Sequence, residues 1–143
     1  MDAPDFFLAT VQHVIGQPLS AAGYVLEDNP LHQTRGLFRY RKALDIERYA
    51  FLEFQTLYNP QSELSYFRIT LLRNVTPDAR AASPEQLERS LAHLLWHEYD
   101  LRVLSFDDHW WVYKFQQDLA PSLYDAGKLL FAYGIPWLED MVI

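Results

Sequence analysis

The chain has 143 residues, a net charge of −7 and no cysteine. Such a length fits one domain, residues 1–143, that buries a core without a disulfide or a metal, and the missing cysteines exclude disulfide frameworks, thiolate catalysis and cysteine-ligated zinc. The acidic balance argues against nucleic acid, which needs a basic footprint, and a sequence that is half hydrophobic argues against disorder.

The start, Met1-Asp2-Ala3-Pro4-Asp5, lacks the basic region of a signal peptide, and no apolar run approaches a membrane span. The expectation is a soluble cytoplasmic protein with no membrane partner. A first helix is expected from about Pro4 to Gly16, with Asp2 as its cap and Pro4 in its first turn. Phe7, Leu8, Val11, Val14 and Ile15 share one side of it. Pro18 interrupts that pattern, so a separate short helical piece, Leu19–Ala22, is expected next. Gly23 closes that piece in the left-handed conformation. Tyr24–Glu27 reads as a short strand, and Asp28–Gly36 as a polar connection with a turn at Asn29-Pro30.

Three stretches then alternate with a period of two: Leu37–Leu44, Tyr49–Tyr58 and Tyr66–Arg73. One alternating set is apolar and includes Phe38, Leu52, Phe54, Phe67, Ile69 and Leu71. The opposite set mixes charge and aromatics: Arg39 and Arg41; Tyr49, Phe51, Glu53 and Gln55; Tyr66, Arg68 and Thr70. Such alternation predicts an antiparallel sheet with one face on a core and the other turned outward. Apolar residues on both sides of Tyr49–Tyr58 suit a central strand.

Ser83-Pro84-Glu85-Gln86 has the form of a capping box with proline in the first turn, and predicts a helix running to about His97. Leu87, Leu91, Leu94 and Leu95 would be its buried stripe, with Trp96 opposite. Leu101–Phe106 and Trp110–Phe115 are expected as further strands around Asp107-Asp108, with Phe106–Trp111 as an irregular alternative. A last helix is expected over Leu119–Tyr133, capped by Asp118, with Gly127 allowing close approach. Gly134 would end it, leaving Ile135-Pro136-Trp137-Leu138 as an extended tail. The fold class is therefore α+β: an antiparallel sheet of about four to six strands with helices packed on one face.

The order of helix, Gly23-Tyr24, paired aromatic strands and a closing Gly134-Ile135-Pro136-Trp137-Leu138-Glu139 resembles small bacterial domains of unknown function. The resemblance covers most of the chain by element order and implies no activity.

No phosphate loop, nucleophile elbow or zinc-protease signature occurs, and no cofactor is expected. His93 and His97 share one helix face, with Glu98, Asp107, Asp108 and His109 close in sequence. Two histidines and a carboxylate are a metal pattern, so a metal-assisted hydrolase is one alternative, although the expectation is that no metal binds. The outer sheet face is the stronger candidate. Arginine forks there suit carboxylates or phosphates. Aromatic and arginine side chains together are the types that dominate binding hot spots. Arg39, Arg41, Tyr49, Phe51, Glu53, Tyr66 and Arg68 are thus read as the ligand or partner face of a non-enzymatic interaction module. That face is expected to be covered by a second subunit, by the Trp110 segment or by a ligand. The partner would be another protein or a second copy. An immunity-type inhibitor of a basic protein is the further alternative, because acidity and exposed aromatics serve that role.

Overall fold

Asp2 caps the first helix, accepting a hydrogen bond from the Asp5 N–H at 2.9 Å, in a computed structural model that describes residues 2–140. The helix, α1, spans Ala3–Ala21 without a break, where a break at Pro18 is expected from sequence. Proline removes one helical hydrogen bond and crowds the preceding turn. The last turn persists because Leu19 is the fourth member of a stripe, Phe7, Val11, Ile15 and Leu19, that is buried against the sheet. Gly23 then takes φ +96°, and the Tyr24 N–H reaches back to the Leu19 carbonyl at 2.9 Å. These are the expected left-handed close and its hydrogen bond.

The sheet follows. Strands β1 (Val25–Leu26), β2 (Leu37–Asp45), β3 (Arg48–Asn59), β4 (Leu64–Asn74) and β5 (Leu87–Ser90) lie side by side in that order. A short helix α2, Pro30–Thr34, sits in the connection before β2, capped by Asn29. All neighbouring strands are antiparallel. A sixth strand, β6 (Trp111–Tyr113), pairs with the other end of β4. β5 takes β4 residues 70–73 and β6 takes 65–67, so Arg68 and Ile69 have no strand partner on that side. The edge therefore carries a gap one dipeptide long.

The apolar alternation sets the inner face. Phe38, Leu52, Phe54, Phe67, Ile69 and Leu71 all lie in the core. Over them pack α1, α3 (Leu91–His97) and α4 (Gln116–Leu129), through Val11, Leu91 and Leu123. Phe67 is central, with Phe7 at 5.7 Å and Trp111 stacked at 5.5 Å between ring centres. Burying such rings contributes roughly 1.5–3 kcal/mol each. A Cβ on Gly127 would stand 2.9 Å from the Ile15 Cγ2, so α1 and α4 cross where only glycine leaves room.

Four expectations are corrected. Ser83 starts no helix. Its hydroxyl accepts from the Glu85 N–H at 3.1 Å and its carbonyl from the Gln86 N–H at 3.2 Å, which closes a turn. The next four residues, Leu87 among them, pair as β5, and the cap of α3 is Ser90, whose hydroxyl accepts from the His93 N–H at 3.1 Å. Backbone pairing with β4 outweighs the local capping signal, since a strand hydrogen-bonded at an edge satisfies groups that a lone turn cannot. Second, Leu101–Phe106 is irregular, with Leu101 and Leu104 each packed singly against the core. Third, Gly134 does not end the last helix. The chain passes from α4 into a π turn, Leu130–Gly134. Fourth, the tail is helical, as α5 (Ile135–Leu138). The wider turn makes room for the Pro136 ring and lets Ile135 and Leu138 rejoin the core. The end is pinned by the Arg73 guanidinium, which donates to the Leu138 and Asp140 carbonyls at 2.9 Å each. Glu139 is held there as well, by the Tyr24 hydroxyl at 2.8 Å and the Lys42 ammonium at 2.9 Å. Burial, followed by that carboxylate, pushes the Tyr24 phenol well above its ordinary pKa.

Among the described residues no helix is long and apolar enough to cross a membrane.

Candidate functional site

The outer sheet face is ordered in rows by the strand register. Arg41, Phe51 and Leu72 form one row; Arg39, Glu53, Thr70 and Ser90 the next; then Leu37, Gln55 and Arg68; then Leu57, Tyr66 and Val112. All seven residues expected on this face stand on it. They do not form one site, because the face is divided.

Its first half is closed. Residues 75–86, between β4 and β5, fold back as a strap, and Phe51, Leu72 and Ala79 make a small second core beneath it, with Tyr49 packed against them. Asn74, 1% exposed, ties the strap down. Its amide donates to the Asp78, Ala79 and Ala81 carbonyls at 2.9 to 3.4 Å. Arg41 reaches the Pro77 carbonyl at 3.3 Å. The strap is a cover the sequence does not announce. It has no periodicity, and its apolar anchor is a single alanine.

Under the strap edge lies a charge chain. The Arg39 guanidinium, 9% exposed, meets Glu53, 3% exposed, at 2.6 and 2.7 Å and Glu27 at 3.3 Å. The second Glu53 oxygen takes Arg80 of the strap at 2.7 Å, and Arg80 also holds Glu88 at 2.7 Å. Burial opposes the charge on Arg80, but the Glu53 and Glu88 carboxylates outweigh it and hold its pKa above the ordinary value. Arg39 and Glu53 are therefore spent on each other, and the arginine clamp expected from sequence is already filled from within.

The other half is open. Leu57 and Val112 are each 46% exposed and flank the half-buried Tyr66. Beside this apolar row, the Arg68 guanidinium lies 4.7 Å from the centre of the Trp110 ring. The Trp110 segment, one of three covers expected for this face, thus meets it at Arg68. The Arg68 Nε is shut off from solvent without an acceptor, whereas its terminal nitrogens are neither buried nor hydrogen-bonded. They open on a cleft of about 480 Å³ at the gap between β5 and β6, lined also by Thr70, Glu88, Arg89, Ser90, His93, Asp107 and Asp108.

His93 and His97 meet edge to face, with ring centres 4.3 Å apart. His97 Nε2 is 2.8 Å from an Asp107 oxygen, and that hydrogen bond holds the Asp107 carboxyl below its ordinary pKa. Burial lowers the pKa of His109, which stands edge-on to Trp111 at 5.1 Å. Among the described residues no group of three or more His, Asp or Glu side chains could hold a metal ion. Arg102 lies over Trp96, 4.5 Å from its ring centre.

Leu57 follows Gln55 by two residues, so its place in the open half is legible from alternation. Val112, Ser90 and Arg80 are not, because each depends on a pairing or a loop with no pattern of its own.

Fold and site together define an α+β protein whose six-stranded sheet has helices on one face and a strap over half of the other. No protein-family model matches the chain, no curated protein is similar to it, and no solved structure matches it.

Proposed function

We propose that the protein is a non-enzymatic interaction module that takes a basic partner protein on the open half of its outer sheet face. The observation that carries this reading is the row Leu57, Tyr66 and Val112, half exposed, beside an arginine with no acceptor. An apolar patch rimmed by polar groups marks interaction sites, and aromatic and arginine residues supply most of the energy at such contacts. The net charge of −7 favours a basic partner and opposes pairing with an equally acidic second copy. An inhibitor of the immunity type is one protein that would work this way.

The test is the pair of changes Tyr66→Ala and Arg68→Ala. Together they should weaken capture of a basic partner by tenfold or more, as loss of about 1.4 kcal/mol requires. The midpoint of urea unfolding should move little, since substitutions at an open surface usually shift stability by no more than about 0.5 kcal/mol. Capture should also fall with salt. Unchanged capture by the double variant would remove the face from consideration. A parent chain that sediments as a dimer, and a double variant that sediments as a monomer, would put a second copy there instead.

A further inference from the structure

We propose that the cleft at the gap between β5 and β6 is a binding site for a carboxylate carried beside a cationic group. This rests on the reading that the open half of the face binds a partner, and it names the chemistry that half selects. The ligand would be an amino-acid-like zwitterion, either free or presented as an adjacent acidic and basic pair on a protein segment.

Arg68 is the centre of the argument. Arg39, Arg48, Arg80 and Arg102 each hold a carboxylate, and Arg41, Arg73 and Arg89 each donate to a backbone carbonyl. Arg35 and Arg68 have neither, and of the two it is Arg68 that shares its cleft with carboxylates, Asp107 and Asp108. Its guanidinium carbon lies over the Trp110 ring, 4.7 Å from the ring centre. A guanidinium stacked on an aromatic keeps its donors in a fixed fork, and its rotamer freedom is already lost before a ligand arrives. A planar fork of free N–H groups matches a carboxylate in two parallel hydrogen bonds.

The surroundings complete the selection. Thr70 and Ser90 face each other across β4 and β5 beside Arg68 and line the cleft. The Ser90 hydroxyl accepts from the His93 N–H, so its own proton is free to donate. Asp107 is engaged with His97 at 2.8 Å, whereas Asp108 has no partner among the described residues. Glu88, paired with Arg80, and Arg89, donating to the Glu88 carbonyl, line the cleft as well; an anion alone would gain from Arg68 and be repelled by the unpaired Asp108. A ligand with an ammonium or guanidinium beside its carboxylate satisfies both.

The probes are ω-aminohexanoate, hexanoate, hexylamine and the capped peptide acetyl-Glu-Gly-Lys-amide. They are titrated into the folded chain while the Arg68 Nε–H and Trp110 indole resonances are followed by NMR. The zwitterion, the peptide or both should move these signals in saturable fashion, about tenfold more tightly than hexanoate or hexylamine, the factor a charged hydrogen-bond pair supplies. Response to the peptide but not to aminohexanoate assigns the site to a protein segment, and the reverse assigns it to a free small molecule. Arg68→Lys keeps the charge but loses the fork, and should weaken binding about tenfold. Asp108→Asn should erase the preference for the zwitterion over hexanoate. No saturable shift with any probe at millimolar concentration, or binding that Arg68→Lys leaves intact in a folded variant, overturns the proposal. Partner capture that still depends on Tyr66 would in that case leave the interaction reading standing, so the two fail separately.

Discussion

Tyr40 is 5% exposed, and its hydroxyl is buried without a hydrogen-bond partner. Burial pushes its pKa up to about 12, from the ordinary 10.0. The unfolded chain therefore loses this proton first as pH rises. The stability linked to it is complete below pH 10 and drains away toward pH 12. A shift of that size corresponds to roughly 2–3 kcal/mol. Tyr40→Phe should leave the core shape intact, gain about 1 kcal/mol at neutral pH by removing an unsatisfied group, and lose less stability in alkali. Urea unfolding at neutral pH and between pH 10 and 12 checks both. Glu53 makes the opposite case. Glu53→Ala should cost about 3 kcal/mol, because it strips the nearly buried Arg39 of its closest anion. The double change Arg39→Met with Glu53→Leu should cost less than Glu53→Ala alone, since no charge is then stranded. A double variant as unstable as the single one would show that the pair itself, rather than the orphaned charge, is what matters.

At the level of elements, the two-residue alternation made β2, β3 and β4 legible, because burial on one face fixes which residue set is apolar. The residues of Arg39, Glu53, Tyr66 and Arg68 were assigned to the correct side by the same rule. That Arg39 and Glu53 would consume each other was not legible, since it depends on cross-strand register. The four-residue stripe of α1 carries through Pro18, because a fully buried Leu19 outweighs one missing hydrogen bond. The misplaced start of α3 has a direct test. Ser90→Ala should cost about 1 kcal/mol as the loss of a true helix cap, and Ser83→Ala should fall within about 0.5 kcal/mol as a change in an open turn. Equal costs in thermal or urea unfolding would return the cap to Ser83.

Over the whole molecule, the sheet serves two cores of unequal size. The inner one joins three helices, the π turn and α5 to every long strand. The outer one rests on Phe51, Leu72 and Ala79. The same acidic body carries both, and its charge is distributed so that the covered half of the outer face is internally neutralised while Arg68 in the open half keeps no acceptor. A partner would therefore meet a face whose specificity lies at one end, near β6 and the gap in the edge.

The strap also has a life in time. It closes on side chains that belong to β3 and β4, so its contacts need those strands to be paired. A segment without strand pairing, held by one small apolar cluster, Asn74, Arg41 and the Arg80 ion pairs, opens at lower free energy than the sheet beneath it. Residues 75–86 should accordingly exchange their amide hydrogens sooner than β3, and native-state trypsin should cut first after Arg80, whose side chain is 46% exposed. Asn74→Ala, which removes all three carbonyl anchors, should speed that cut at least about tenfold, the factor for 1.4 kcal/mol of opening free energy. A nick there would leave β4 and β5 joined only through their pairing. A segment able to open ahead of the sheet thus covers the buried Arg39–Glu53 ion pair.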